Sequence, residues 1–385
     1  MRTFAPCVAL IWVCVFSSFA MGAAPPHYLI TNDDGTFFNS VTFYSVSGSG
    51  ALTLQQQVLT GGLGIAGGYF GASRLSVLNS GSECVYASDA ATGDIVGIDV
   101  TTFLAGPTVL GSQTDSGVAN GIGLAMNGQY LYAAYTSSNT IGTFQVQSGC
   151  SLMFVNDTAI AGLQGGFIDG MAVSGNTMVV TYGDGSIESF NLTSGPPVSN
   201  GDEQNSTGYT KAQGATYPTS VEITSDGHFA LFGDTSTSSV VEVSDISAGK
   251  LTPTVVYTLG KSINSSNILL SPDETLLFIS NTQGDTISAA LFDKSTGKLS
   301  TGCASGSLRG YSSNWSYLAS LVLRDSTGTG GLIYVAEYGA TSFIGMVAVT
   351  SSGGKCTLSE AAGSPFGELD SAGLLSMATF PPRSF

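Results

Sequence analysis

The stretch Ser266–Asn281, SNILLSPDETLLFISN, decides the fold. It is an apolar run, a polar turn built on Pro and Asp, and a second apolar run, the pattern of two short antiparallel strands joined tightly. The same phrase recurs about every 50 residues, a spacing that marks a propeller or another repeat array. It reads RLSVLNSGSECVYAS from Arg74, NGIGLAMNGQYLYAAY from Asn120 and DGMAVSGNTMVVTY from Asp169. It returns as TSVEITSDGHFALFGD from Thr219 and ASLVLRDSTGTGGLIYVAEY from Ala319.

A third run with period-2 alternation follows each phrase, as in GDIVGIDV (93–100), NTIGTFQV (139–146) and DTISAALFD (285–293). A less regular fourth run comes next, as in LTLQQQVLT (52–60). Four strands per unit and seven units predict an all-β, seven-bladed β-propeller with four-stranded blades. The N-terminal HYLITNDDG lacks a strand before it, and the C-terminal GLLSMATFPP (373–382) lacks one after it. Pairing these two segments predicts a ring closed by the N- and C-terminal strands, with no unpaired edge at the seam. Asn127-Gly128 and Asp226-Gly227 read as hairpin turns. No helix of note is expected.

Residues 1–23 read as a signal peptide: Arg2 supplies a positive start, Val8–Ala20 an apolar run, and Ala20, Gly22 and Ala23 small residues. The expected mature chain, 24–385, is one domain, secreted or periplasmic, without a membrane span and monomeric. Without Arg2 it holds ten basic residues against 27 acidic ones, a net charge of −17. A field of that sign repels nucleic acid and anionic membranes. Cys84, Cys150, Cys303 and Cys356 remain after cleavage, an even number suited to disulfides in an oxidising compartment, with three pairings open. There is no CxxC pair, and only His27 and His228 supply imidazole, so no metal site and no cofactor are expected. Asn32-Asp33-Asp34-Gly35 lacks the alternating oxygen ligands and distal Glu of a calcium loop and reads as a turn. Sequons stand at Asn156, Asn191, Asn205, Asn264 and Asn314.

YASDAATGDIVGIDV, YAAYTSSNTIGTFQV and FISNTQGDTISAALF resemble the YVTN-type propeller repeat. SPDETLLFISN and TSDGHFALF resemble the signature phrase of the lactonase-like propeller family, which includes propeller-type 6-phosphogluconolactonases and a carboxymuconate cyclase. The resemblance spans essentially the whole mature chain. It implies a hydrolase acting on a small lactone or sugar-acid lactone, with His, Glu and Arg side chains around a central funnel.

In such a ring the inner strand of each blade lines the channel, and the loop before it opens at one face. The residues at these positions are Arg74, Asn120, Asp169, Ser220, Asn267 and Ser320, with Glu222 two residues further on in its strand. Lys211, Lys261, Arg309, Tyr311 and Trp315 belong to the same loops. Asp169 and Glu222 are the candidate general bases, and Arg74, Asn120, Asn267 and Ser320 the candidate ligand-binding groups for a carboxylate or hydroxylated molecule. Two functions stay open: a lactonase-like enzyme, and a non-catalytic propeller that binds a small ligand or a protein partner. His228 follows the Asp226-Gly227 turn and His27 starts a strand, so both are expected to be inert.

Overall fold

The computed structural model describes residues 27–65, 75–79, 83–101, 108–114, 122–205, 218–235, 239–252, 255–258, 265–281, 286–309, 316–318, 323–324, 330–337, 343–352, 354–367 and 376–380. The expected signal peptide, Arg74, Asn120, Ser320, Lys211, Lys261, Tyr311 and Trp315 lie outside the described residues.

Each repeated phrase is a hairpin. Ser265–Leu270 and Leu276–Asn281 pair antiparallel, with Ile268 opposite Ile279. Local hydrogen bonds make the turn between them. The Ser271 hydroxyl donates to Asp273 at 2.7 Å and accepts the N–H of Leu276 at 3.0 Å, while Thr275 Oγ1 donates to Asp273 at 2.8 Å. The sister turn repeats this chemistry: Asp226 accepts Thr224 Oγ1 at 2.7 Å and the His228 N–H at 3.0 Å, with Gly227 at a φ of 72° that an L side chain resists. Side chains that satisfy backbone groups within five residues fix a turn wherever the phrase occurs.

The described strands form seven antiparallel sheets in a propeller arrangement. The first strands are Leu75–Asn79, Ile122–Met126, Ile168–Ser174, Pro218–Ile223, Ser265–Leu270 and Ser316–Leu318. In the remaining sheet Ser376–Phe380 takes that place, hydrogen-bonded to His27–Asn32 with Asn32 opposite Ser376 and Tyr28 opposite Phe380. From Ser376–Phe380 round to Ser316–Leu318 the first strands of successive sheets pack on one another, and an apolar core fills each gap between sheets. One core joins Tyr132, Ala134 and Ile141 to Ile168, Met178 and Val180; another joins Leu29, Tyr44 and Met377 to Tyr334, Ile344 and Met346. Each such side chain contributes roughly 1.5–3 kcal/mol by leaving water, so the sheet faces supply the stability. Regular helix among the described residues is confined to a three-residue 3-10 turn, Ser148–Cys150.

Disulfides Cys84–Cys150 and Cys303–Cys356 each tie one sheet to the next, across separations of 66 and 53 residues. Asn32-Asp33-Asp34-Gly35 is a polar node rather than an ion loop. Asp33, fully buried, accepts hydroxyl donors from Thr31 at 2.6 Å and Thr42 at 2.7 Å, and also from Ser40. Asn39 reaches across to the neighbouring sheet and donates to Asp89 at 2.6 Å.

Candidate functional site at the start of the inner strands

The register places the loops before the inner strands and the ends of the second strands at one face, since Ile168 pairs with Tyr182 and Asn32 with Ser376. Asp169 stands at that face on a β-bulge: Ile168 opposes Tyr182 and Gly170 opposes Thr181, leaving Asp169 as the extra residue. A bulge re-aims the inserted side chain without ending the strand. Thr219 and Ser266 occupy the same bulged position in the next two sheets.

Asp169 is 7% exposed and makes no hydrogen bond to a described residue. Burial pushes its carboxyl up to about 8, so it is protonated near neutral pH. Unsatisfied hydroxyls stand nearby as well. The Thr181 and Ser220 hydroxyls are buried and unpaired among the described residues. Gly170 lets the strands close up here, because a Cβ on it would meet Thr181 Oγ1 at 2.7 Å and the Thr219 carbonyl oxygen at 3.0 Å.

The loop before Asp169 is held rigidly. Asp184 accepts the N–H groups of Gln164 at 2.7 Å and Gly166 at 3.0 Å, and the Ser186 hydroxyl at 2.6 Å. Burial raises the Asp184 carboxyl, but the hydrogen bonds from Ser186, Gln164 and Gly166 outweigh it and hold the group below its ordinary value. The Gly183 N–H donates to the Phe167 carbonyl oxygen at 2.8 Å.

The other candidates separate. Glu222 is half-buried and already engaged by a neighbour, and it lies three residues beyond the bulge of its own strand. At about 3.3 Å per residue that is about 10 Å deeper along the channel than Asp169, so the two carboxyls are not a pair. Asn267 follows the bulge of its sheet, half-buried, its N–H given to Ser280 Oγ at 3.2 Å. Arg309 is committed elsewhere: its Nε and its backbone N–H both donate to Glu360 Oε2 at 3.0 Å. His228 is 71% exposed on its hairpin turn, beside Asp226, at the far end of the strands.

Sequence reading missed Phe167, Asp184 and the buried acids outside the inner strands. Burial lifts Asp89 to about 6 against hydrogen bonds from Thr60 and Asn39, and lifts Asp234 to about 7 with help from Glu242. Both stand on second strands. A groove of about 280 Å³ opens at the far end of the strands, lined by Phe229, Val243, Asp245, Tyr257 and Lys298, without an unpaired buried polar group. Among the described residues no three His, Cys, Asp or Glu side chains are placed to hold a metal ion, and no helix is long and apolar enough to cross a membrane.

No family model and no curated protein matches the sequence. The fold is that of the lactonase-like β-propellers. A Bacteroides uniformis protein with a provisional 6-phosphogluconolactonase assignment superposes with TM-score 0.69 at 15% identity, over 92% of this chain and 99% of its own. A Bacteroides fragilis protein with the same provisional assignment gives 0.66 at 15%, over 92% and 98%. The periplasmic gluconolactonase of Pseudomonas aeruginosa gives 0.56 at 15%, over 72% and 82%. At this identity the likeness is one of fold, and function resides in the site.

Proposed function

We propose that the protein is an exported hydrolase of small lactones, acting at the face where the inner strands begin. The observation that carries this reading is Asp169: a nearly buried carboxyl, without a hydrogen-bond partner among the described residues, on a bulge at the channel rim. An unpaired buried acid costs stability and is retained where it has work to do. In its neutral form Asp169 donates a hydrogen bond or a proton. Water adds to the lactone carbonyl carbon, the ring C–O bond breaks, and the departing ring oxygen takes the proton of Asp169. The proton released by the attacking water restores the acid. Glu222, deeper in the channel, contacts the far end of the substrate, and Arg74, Asn120, Asn267 and Ser320 complete the ring of binding groups.

The scaffold belongs to the same proposal: residues 24–385 form one domain of seven blades, one per sheet, closed by the pairing of His27–Asn32 with Ser376–Phe380, after removal of residues 1–23. Seven inter-sheet cores, one of them joining the last sheet to the first, support the count. The two disulfides fit an oxidising destination.

The alternative, a non-catalytic propeller that binds a ligand at the same rim, draws on the absence of His from the described inner strands. A panel of sugar and alkyl lactones assayed with wild type and Asp169→Asn separates the two. The hydrolase reading expects turnover that falls by a factor of about 10²–10³ in the variant, the size of one lost donor to developing charge. Turnover untouched by Asp169→Asn would mean the site is elsewhere; binding without any turnover would favour the alternative.

A further inference from the structure

The residues beside Asp169 carry chemistry that a sugar phosphate does not need. Phe167 is 53% exposed and Leu163, in the same loop, 48%. Ile168 between Phe167 and Asp169 is fully buried in the core shared with the preceding sheet. Phe167 lies two residues before Asp169 in the same rim segment, about 7 Å away along the chain at most, so one small ligand can reach both. The tip of the phenyl ring occupies the space a side chain on Gly183 would take, a Cβ there lying 3.0 Å from Cζ, and half of the residue remains exposed. The loop cannot swing the ring into the core, since Asp184 pins it at Gln164 and Gly166 and Gly183 pins the Phe167 carbonyl. An aromatic side chain held open by this many hydrogen bonds, next to an unpaired acid, is built to be covered by a ligand.

Charge narrows the class. Segments 161–169 and 181–189 hold Asp169, Asp184 and Glu188 and no basic residue, in a chain of net charge −16. A phosphate or carboxylate at the Phe167 end of the substrate gains nothing from these neighbours, whereas an uncharged group there is not opposed.

Building on the lactone-hydrolase reading, we propose that the substrate is a lactone bearing an uncharged alkyl or aryl group beside the ring, and that Phe167 is the specificity-determining residue on which this group stacks while Asp169 meets the lactone. Phe167 sets the position of the ring-bearing end and takes no part in bond breaking.

The test compares kcat/KM for a series of δ-lactones of growing alkyl chain, for glucono-δ-lactone and for its 6-phosphate. It uses wild type, Phe167→Ala and Phe167→Leu, with the unfolding midpoint of each recorded. The expected result is a wild-type kcat/KM that climbs at least tenfold along the alkyl series and exceeds that for both sugar lactones. Phe167→Ala should cut the alkyl preference about tenfold, mainly through KM. Phe167→Leu should restore much of it, and the midpoints should match because the ring is on the surface. Hydrolysis of the sugar lactones with a flat alkyl series, or an alkyl preference that survives Phe167→Ala, overturns this inference and leaves the hydrolase reading standing. Failure to hydrolyse any lactone overturns both.

Discussion

Replacing Asp169 by Asn should make the protein more stable at neutral pH while lowering the proposed lactone turnover. The size follows from the carboxyl group. Its ordinary value of 3.8 applies in the unfolded chain, and burial raises it to about 8 in the folded protein. Below pH of about 4 both states hold the proton and the group costs nothing through ionisation. Above it the unfolded chain ionises freely while the buried acid does not. Stability is therefore lost steadily as pH rises and levels off near 8. At about 1.4 kcal/mol per pH unit, the loss between 3.8 and 7 is about 4 kcal/mol, a ceiling that water entering at the rim reduces. Asn keeps the shape and cannot ionise, so Asp169→Asn should gain up to that amount at pH 7 and almost nothing at pH 4. Urea unfolding midpoints of the two proteins at pH 4, 5.5 and 7 measure it. Comparing the proteins at equal pH cancels the contributions of Asp33, Asp89 and Asp234, whose carboxyls are also raised by burial. A variant no more stable than wild type at pH 7, or a gap of constant size across the range, refutes the reasoning. A gain in stability with a loss of turnover is the trade expected of a residue kept for function.

Two further outcomes follow from the scaffold. Deleting residues 373–385 removes Ser376–Phe380 and with it Met377 from the core around Tyr334 and Ile344; the exposed edge and vacant core should give aggregation or a large drop in melting temperature, and an unchanged melting temperature would refute closure by the termini. The denatured, unreduced protein should show no free thiol among its four mature cysteines. Replacing Cys84 and Cys150 together by Ser should cost about 4 kcal/mol, the chain-entropy value for a loop of 66 residues; a loss under about 1 kcal/mol would show that the sheet faces alone fix this contact.

The hairpins were legible because they rest on contacts between near neighbours in the chain. Ser271, Asp273 and Thr275 carry their own turn, and so do Thr224, Asp226 and Gly227. The strand Ile168–Ser174 was readable for the same reason, and it put Asp169 on the candidate list. The pairing of Arg309 was not legible from its place in a funnel-side loop, because its carboxylate partner Glu360 is 51 residues away.

Sequence by itself determined the repeat, the all-β class, the approximate strand ends and the even set of cysteines, since all of these follow from period-2 patterning, turn chemistry and composition. Tertiary structure decided which cysteines meet, that Asp33 is a hydrogen-bond hub, and that Asp169 and Glu222 sit at different depths. It also decided that Asp169 is desolvated without a hydrogen-bond partner among the described residues, with the exposed Phe167 two residues before it. The division has one physical cause. A turn is fixed by hydrogen bonds within a few residues, so it is written locally. Desolvation is imposed by whatever the neighbouring sheet brings up from 40 or more residues away, as the Thr219 carbonyl oxygen is brought against Gly170.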